Sequence, residues 1–572
     1  MPFTFPDEVL EHVLVFVTCH RDRNAVSLVC KAWCKTEGWS RRKVFIGNCY
    51  ALSPEVLVRR FPNITSVIMK GRPRFADFGF VPANWGAYIF PWIQAMATHY
   101  PLLQELRLKR MIVNDASLAK IAQSFSSFRS LSLTSCIGFS TDGLAEITRH
   151  CRCLAELELQ ENDIEFRSGE WLTAFPETYT SLVSLNFSTV HYKEDYVNVL
   201  ALEHLVARCP LLKKLKLNKE INLEQLQRLL LRAPNLVELG TGSYSQSLTW
   251  ADLSELQSAL DKCKSLRSLS GIWEVVPEFV QTLYPVCPNL ITLNLSDVLL
   301  PTADFSKLIS YCQKLQQLLV QDDVGDKGLK AVAMACKDLR ELRVFPAGEE
   351  GSVTEEGLVA ISEGCPNLRK ILYFCKQMTN AAMATFARNC QRMTHFRLCI
   401  LTPYETDCVT KEPLDEGFGA ICRECKDLER LALSGLLTDK TFDYIGQFAK
   451  KLETLSVAFA GDSDRGMHYI LDGCKKLRKL EIRDCPFGDK ALLAGYSKYE
   501  EMRSLWMSTC KVTRSGCQFL AEKNPNLNVE IIKDSEGTEQ HVEKVYVYRT
   551  IAGCRSDALS SVEIYGSGNI SI

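Results

Sequence analysis

CQRMTHFRL at 390–398, CKDLERLAL at 425–433, AKKLETLSV at 449–457 and CKKLRKLEI at 474–482 are four copies of one phrase. Each opens on a small or apolar residue and sets apolar residues three, six and eight places on, with polar residues at most places between. Alternate side chains of a strand point to opposite faces, so the apolar positions enter a shared core and the residue between the last two projects outward. That outward position reads Arg397, Ala432, Ser456 and Glu481. Neighbouring strands lie roughly 4.8 Å apart, so the four form one row: a cation, two small residues and an anion. The row has the chemistry of a shallow pocket for a small acid, in which the guanidinium takes a carboxylate and the small residues leave room for a ring.

The phrase is the signature of a leucine-rich repeat. Its starts fall at 61, 100, 125, 151, 179, 209, 233, 263, 287, 312, 336, 365, 390, 425, 449, 474, 499 and 524, most of them about 24–30 residues apart. The second half of a turn, as in DKTFDYIGQFA (439–449) or DKALLAGYSKY (489–499), carries apolar residues at helical spacing. The expected fold is an α/β solenoid, a leucine-rich-repeat horseshoe or ring with strands inside and helices outside. Two gaps are long. KGRPRFADFGFVPANWGAYIFPW follows the strand after 61, and LTPYETDCVTKEPLDEGFG follows the strand after 390. Both inserts leave a strand end on the same rim and lean over the outward row. A third excess, PAGEEGSVTEE (346–356), reads as an acidic, mobile loop.

Acids and bases nearly cancel, with a formal charge of −1, so nothing global points to nucleic acid or a membrane surface. The N-terminus has acids ahead of its apolar run and no basic n-region, and no apolar stretch has the length of a membrane span; the reading is a soluble, non-secreted protein. Many of the 24 cysteines stand at phrase starts (Cys151, Cys209, Cys263, Cys287, Cys312, Cys336, Cys365, Cys390, Cys425, Cys474), which predicts buried free thiols in a reducing compartment.

Residues 5–42 carry no repeat phrase. Val9, Leu10, Val13, Leu14 and Val17 recur at helical spacing, and Val26, Val29 and Trp33 do so after an RDRN turn. So short a helical segment buries its apolar faces poorly by itself, and a partner, the first repeats, or both must cover them. The division is 1–45 helical, 46–533 repeats and 534–572 a C-terminal cap with one strand-like piece (Val545, Val547, Tyr548) and a Ser/Gly-rich end that frays. The search for catalysis is negative: Cys422 and Cys425 have no second pair at zinc spacing, no phosphate-loop or nucleophile motif occurs, and Asp462 and Asp464 stand where each turn caps its helix. No metal site is expected. Lys70, Lys109, Arg110, Arg343, Arg397, Arg430, Arg478, Lys479, Arg483 and Arg503 lie in or beside repeat strands. They are either solvated charges or a site for a small polyphosphate.

Phe5-Pro6-Asp7-Glu8-Val9-Leu10 and VSLVCKAW (26–33) resemble an F-box, the module that docks on the Skp-type adaptor of a cullin ubiquitin ligase. With the repeats, RRKVFIGNCYALSP (41–54), RFADF (74–78), ILYFCKQMTNAAM (371–383), LSGLLTDK (433–440), LSVAFAGDSD (455–464) and EIRDCPFGDKALL (481–493), nearly the whole chain resembles the plant auxin receptors of the transport-inhibitor-response and auxin-signalling F-box family. The resemblance implies a non-catalytic substrate-recognition subunit in the nucleus. Auxin would act there as a molecular glue, recruiting transcriptional repressors through a Trp-Pro-Pro degron for ubiquitination.

By the same resemblance, auxin is bound by Arg397, with Arg74, Phe75, Phe78, Leu398, Cys399, Ala432, Ser434, Ser456 and Ala458 around it. The degron meets Asp77, Phe374, Phe459, Glu481 and Arg483. A structural inositol hexakisphosphate is held by Lys70, Lys109, Arg110, Arg343, Arg430, Arg478, Lys479 and Arg503. The adaptor meets Phe5, Pro6, Val9, Leu10, Val13, Leu28, Val29 and Trp33. Several positions depart from the family pattern: Arg74 replaces a frequent His, as in the picolinate-auxin branch, Ala432 replaces a Ser, His395 and Glu429 stand at frequent Arg positions, and the 346–356 loop is short. A jasmonate-type receptor and a hormone-independent F-box adaptor are the alternatives.

Overall fold

The computed structural model describes all residues except 1–6, 51, 73–85, 166, 168–170, 189, 193–196, 220, 244–249, 274–276, 350, 525–526, 535–542, 549–561 and 567–572. Two compact units divide the chain, one built mainly on Met1–Leu215 and the other on Lys216–Thr550. The leucine-rich-repeat solenoid behind an N-terminal helical domain is borne out. Seventeen of the eighteen phrase starts lie five residues ahead of a strand, from Ser66–Lys70 after 61 to Ser504–Ser508 after 499, and the last lies four ahead of Asn528–Asp534.

In the first unit the strands Lys43–Ile46, Ser66–Lys70, Glu105–Lys109, Ser130–Thr134, Glu156–Gln160 and Ser184–Asn186 pair in chain order, all parallel. The sheet therefore starts one strand before the first phrase. In the second unit twelve parallel strands run in chain order from Glu238–Ser243 to Asn528–Asp534. The expected single strand of the tail is one of two: Glu543–Tyr548 adds antiparallel to the last repeat and Val562–Gly566 adds antiparallel to that strand, while the end expected to fray, 567–572, lies outside the described residues. The helix expected over 489–499 also stops early, at Leu493, because Gly495 follows and costs about 1 kcal/mol in a helix.

The repeat-start cysteines are buried free thiols. Several point at the matching position of the preceding turn: Cys336 Sγ donates to Cys312 O, Cys365 Sγ to Cys336 O and Cys425 Sγ to Cys390 O, at 3.4–3.6 Å. A larger side chain would separate adjacent turns. On the helix side, carboxylates lock each turn to the next. Asp415 accepts the Thr438 amide (3.0 Å) and hydroxyl (2.6 Å), Asp326 takes the same two groups of Thr354, and Asp464 takes the Gly488 amide (2.8 Å).

The N-terminal helices are Asp7–Phe16, His20–Ser27 and Lys31–Ser40. The RDRN segment, expected to turn, is helical. Arg23 is thereby aimed at Glu37 (3.2 Å), and the Asn24 side chain accepts from the Arg41 guanidinium (3.0 Å). The chain turns instead at 28–30, where Cys30 Sγ caps the third helix. Glu37 is fully buried and meets three guanidiniums, those of Arg23, Arg41 and Arg60.

Candidate functional site

Strand alternation builds the site. Along His395–Ile400 the residues 396, 398 and 400 are buried while 395, 397 and 399 face outward. Register then fixes the row: Arg343, Leu372, Arg397, Ala432, Ser456, Glu481 and Trp506 are successive partners on neighbouring parallel strands. From Arg397 to Glu481 is three strand spacings, about 14 Å.

Arg397 is half-buried, and its Nε is buried without a hydrogen-bond partner among the described residues. Arg430 has the same unpartnered Nε. Burial and the nearby Arg430 hold the Arg397 guanidinium below its ordinary value, against the opposite pull of Cys399 and Glu481. Two guanidiniums that repel each other, each with a buried Nε lacking a partner among the described residues, favour an anion between or beside them. Cys399, two residues on, faces the same way, and burial pushes its thiol up to about 11, so it stays protonated and acts as a small apolar wall. Phe374 is its neighbour in register, and Leu372 is the neighbour of Arg397. Leu372 was missed by the sequence reading, because its phrase, CPNLRKILYF, has apolar residues on both faces of the strand.

Several predicted residues take other roles. Leu398 is fully buried on the core face, so it offers the site backbone only. The Ser434 hydroxyl accepts the Ile400 amide (2.9 Å) and clasps two strand ends. The Ser456 hydroxyl donates to Glu481 (2.5 Å), which also takes Lys479 Nζ (2.6 Å), so the anionic end of the row is already engaged. Ala432 is only 7% exposed, and Ala458 faces outward beside Arg483. The Arg483 guanidinium lies against Asp484 (3.0 Å). Phe459 follows Ala458 in a left-handed turn (φ 54°).

The second insert does lean over this rim. Glu405 O accepts the Leu436 amide (2.7 Å), the Cys408 amide reaches Met378 O (3.1 Å), and Tyr404 meets Phe459 edge-on with ring centroids 5.3 Å apart. Tyr404 is a second residue the sequence reading missed; an aromatic in a rim insert was its signal. Buried Asp407 organises the loop, accepting the amides of Asn380, Val409 and Thr410. The 346–356 loop, expected to be mobile, is held by buried Asp322, which takes the amides of Ala347 and Ser352. The first insert leaves and returns on paired backbone: Gly71 and Arg72 donate to Lys109 O and Arg110 O, and Ile89 donates to Ile112 O. Arg74, Phe75, Asp77 and Phe78 lie outside the described residues, as do Phe5 and Pro6.

The predicted phosphate ligands divide between the units. In the first, Lys70 and Lys109 are register partners beside a cavity of about 420 Å³ that also holds Arg107 and Glu158, and Arg110 follows with φ 53°. In the second, Arg478 and Arg503 mark successive strand feet, while Arg343 is taken by Glu341 on its own strand (2.5 Å). His395 faces outward with Lys370 and Arg430 as register partners; burial and these cations hold its imidazole below the ordinary range. Of the predicted adaptor residues, Val9, Val13, Leu28 and Val29 are exposed and Trp33 is half-buried. Leu10 is buried inside the helical domain (6% exposed), because it lies on the side of its helix shared with buried Leu14, about 100° round from Val9. Phe16, one turn beyond Val13 and 84% exposed, extends the outer stripe in its place.

Residues 2–43 match the family description "F-box", 62–108 "Transport inhibitor response 1 protein domain", and 244–389 and 473–494 two leucine-rich-repeat descriptions. The chain is 52% identical to GRR1-like protein 1 of Arabidopsis thaliana over 97% of its own length and 96% of that protein's. It is 52% identical to a Transport inhibitor response 1-like protein of Oryza sativa subsp. japonica, over 98% and 97% of the two chains. Coronatine-insensitive protein 1 of Arabidopsis thaliana is 31% identical over 98% and 96%.

Proposed function

Because this chain belongs to the Transport inhibitor response 1-like family of F-box, leucine-rich-repeat proteins, we propose that it is an auxin co-receptor and the substrate-recognition subunit of a Skp–cullin–F-box ubiquitin ligase. The F-box helices dock on a Skp1-type adaptor through the Val9, Val13, Phe16, Leu28 and Val29 stripe, and the chain itself breaks no bond. One observation carries the hormone reading: Arg397, whose buried Nε has no partner among the described residues, stands in an outward row whose neighbours, Leu372, Cys399, Ala432 and Ala458, are small or apolar. Auxin's carboxylate pairs with Arg397 and its ring lies along these residues. The Trp-Pro-Pro degron of a repressor then covers it near Phe374, Phe459 and Tyr404. Inositol hexakisphosphate has a fitting donor in Arg430, whose buried Nε has no partner among the described residues, with Arg478 and Arg503 at the strand feet. The repressors act in the nucleus, and the receptor works there with them.

The greater identity to the Transport inhibitor response 1-like relative than to the Coronatine-insensitive one (52% against 31%) supports auxin over a jasmonate. The test is binding of a labelled Trp-Pro-Pro peptide to the chain with its adaptor, without ligand and with indole-3-acetic acid, a picolinate auxin or a jasmonate conjugate. Binding that needs an auxin and vanishes in Arg397→Ala is the expected result. Equal binding in every condition, or dependence on the jasmonate alone, overturns the reading.

A further inference from the structure

A second cavity, about 580 Å³, opens between the first and third N-terminal helices and the start of the first strand. Its volume is that of small-molecule sites. Four cations line it, Arg23, Arg41, Arg42 and Lys43, against one lining carboxylate, Glu11. The buried Glu37 behind it pairs with Arg23 and Arg41 as well as Arg60, and Lys43 lies 3.4 Å from Glu105. The four cations still outnumber Glu11, Glu37 and Glu105, and Arg42 is the lining cation without a carboxylate partner among the described residues. His20, also in the wall, faces the same cations: burial first, and then the neighbouring Arg41, Lys43 and Arg23, hold its imidazole below the ordinary range. The rest of the wall is apolar, with Val15 and Val17 from the first helix and its exit and the indole of Trp39, which stays 53% exposed. An indole and two valines facing a surplus of guanidiniums match one ligand chemistry, an anionic head on an apolar body.

We propose that this cavity at the junction of the F-box and the first repeat strand binds a small amphipathic organic acid, its head among Arg23, Arg41 and Arg42 and its body on Trp39 and Val15. The site is independent of the Arg397 face.

The test is titration of the full-length chain, co-purified with its adaptor, with the aryl sulfonate probe 8-anilinonaphthalene-1-sulfonate. The background is Arg397→Ala, which removes the other anion face. Three variants are compared: Arg42→Glu, Val15→Glu, and Trp39→Phe; the Arg41–Glu37 and Lys43–Glu105 pairs are left intact so that folding is preserved. One saturable site is expected. Both charge variants weaken it about tenfold or more, the equivalent of losing one charge-assisted contact, with an unchanged melting temperature. Trp39→Phe lowers energy transfer to the bound probe while direct excitation still reports binding. Equal affinity in parent and both charge variants overturns the proposal, as does transfer unaffected by Trp39→Phe, or an absence of saturable binding. Failure of auxin-dependent peptide binding leaves this outcome untouched, because the peptide assay reads the other face.

Discussion

At the residue scale the decisive group is the Arg397 guanidinium, half-buried with no partner for its Nε among the described residues. A hydrogen bond to a charged partner contributes about 1.5–3 kcal/mol. Arg397→Ala is therefore expected to weaken hormone-dependent peptide binding by about 10- to 150-fold while leaving the melting temperature near that of the parent. Competition with unlabelled peptide gives the affinity and a thermal melt the control. Leu398 is the contrast. Next in sequence and fully buried, its change to Ala opens a core cavity at a cost of about 2–5 kcal/mol. The phrase distinguishes these two neighbours by alternation alone. It does not reveal that the Ser434 and Ser456 hydroxyls are spent on Ile400 and Glu481, because those partners lie 34 and 25 residues away.

Elements hold the row in place by close approach and by caps. The helices Asp439–Phe448 and Arg465–Gly473 touch through two glycines: a Cβ on Gly473 would lie 2.1 Å from Gly446 O. Gly473→Ala is expected to destabilise the chain by roughly 1–3 kcal/mol through overpacking, seen as faster hydrogen exchange in both helices. The rim insert depends on Asp407. Burial alone would raise its carboxyl, but the amides of Thr410, Asn380 and Val409 outweigh that and hold it below the usual carboxylate range. A carboxylate depressed on folding adds stability that is present above its unfolded pKa, about 3.9, and is lost as pH falls through the lower folded value. Residues 401–414 should thus keep their exchange protection at neutral pH and lose it below about pH 4, earlier than the strands beneath. Asp407→Asn should remove this pH dependence.

At the scale of the whole molecule, the buried thiols record how the turns stack. Burial pushes the Cys336 thiol up to about 12 and that of Cys365 up to about 11, whereas Cys19, Cys30 and Cys153 are exposed. Thiolate is the reactive form, so alkylation of the native chain should label Cys19, Cys30 and Cys153 well before any repeat-start cysteine. Full labelling should require denaturant. Early labelling of Cys336 or Cys365, mapped by peptide mass, would mean that the turns open locally.

The sequence by itself determined the solenoid, the strand positions and the outward row, because a periodic fold writes its core into local spacing: alternation within a strand and one phrase per turn leave little for distant contacts to decide. It also marked the N-terminal helical domain, although placing RDRN in a turn failed because a helix there is stabilised from outside by Glu37 and Arg41. The tertiary structure alone decided which outward groups remain available. Glu481 engages Ser456 and Lys479, Glu341 engages Arg343, and, among the described residues of the row and its feet, Arg397 and Arg430 keep a buried Nε without a partner. It alone also brought Tyr404 onto Phe459 and opened the cation-lined cavity beside Trp39. The physical reason is range: apolar spacing is a property of neighbours in the chain, whereas the pairing of charges and the closing of loops depend on which turns come to lie side by side.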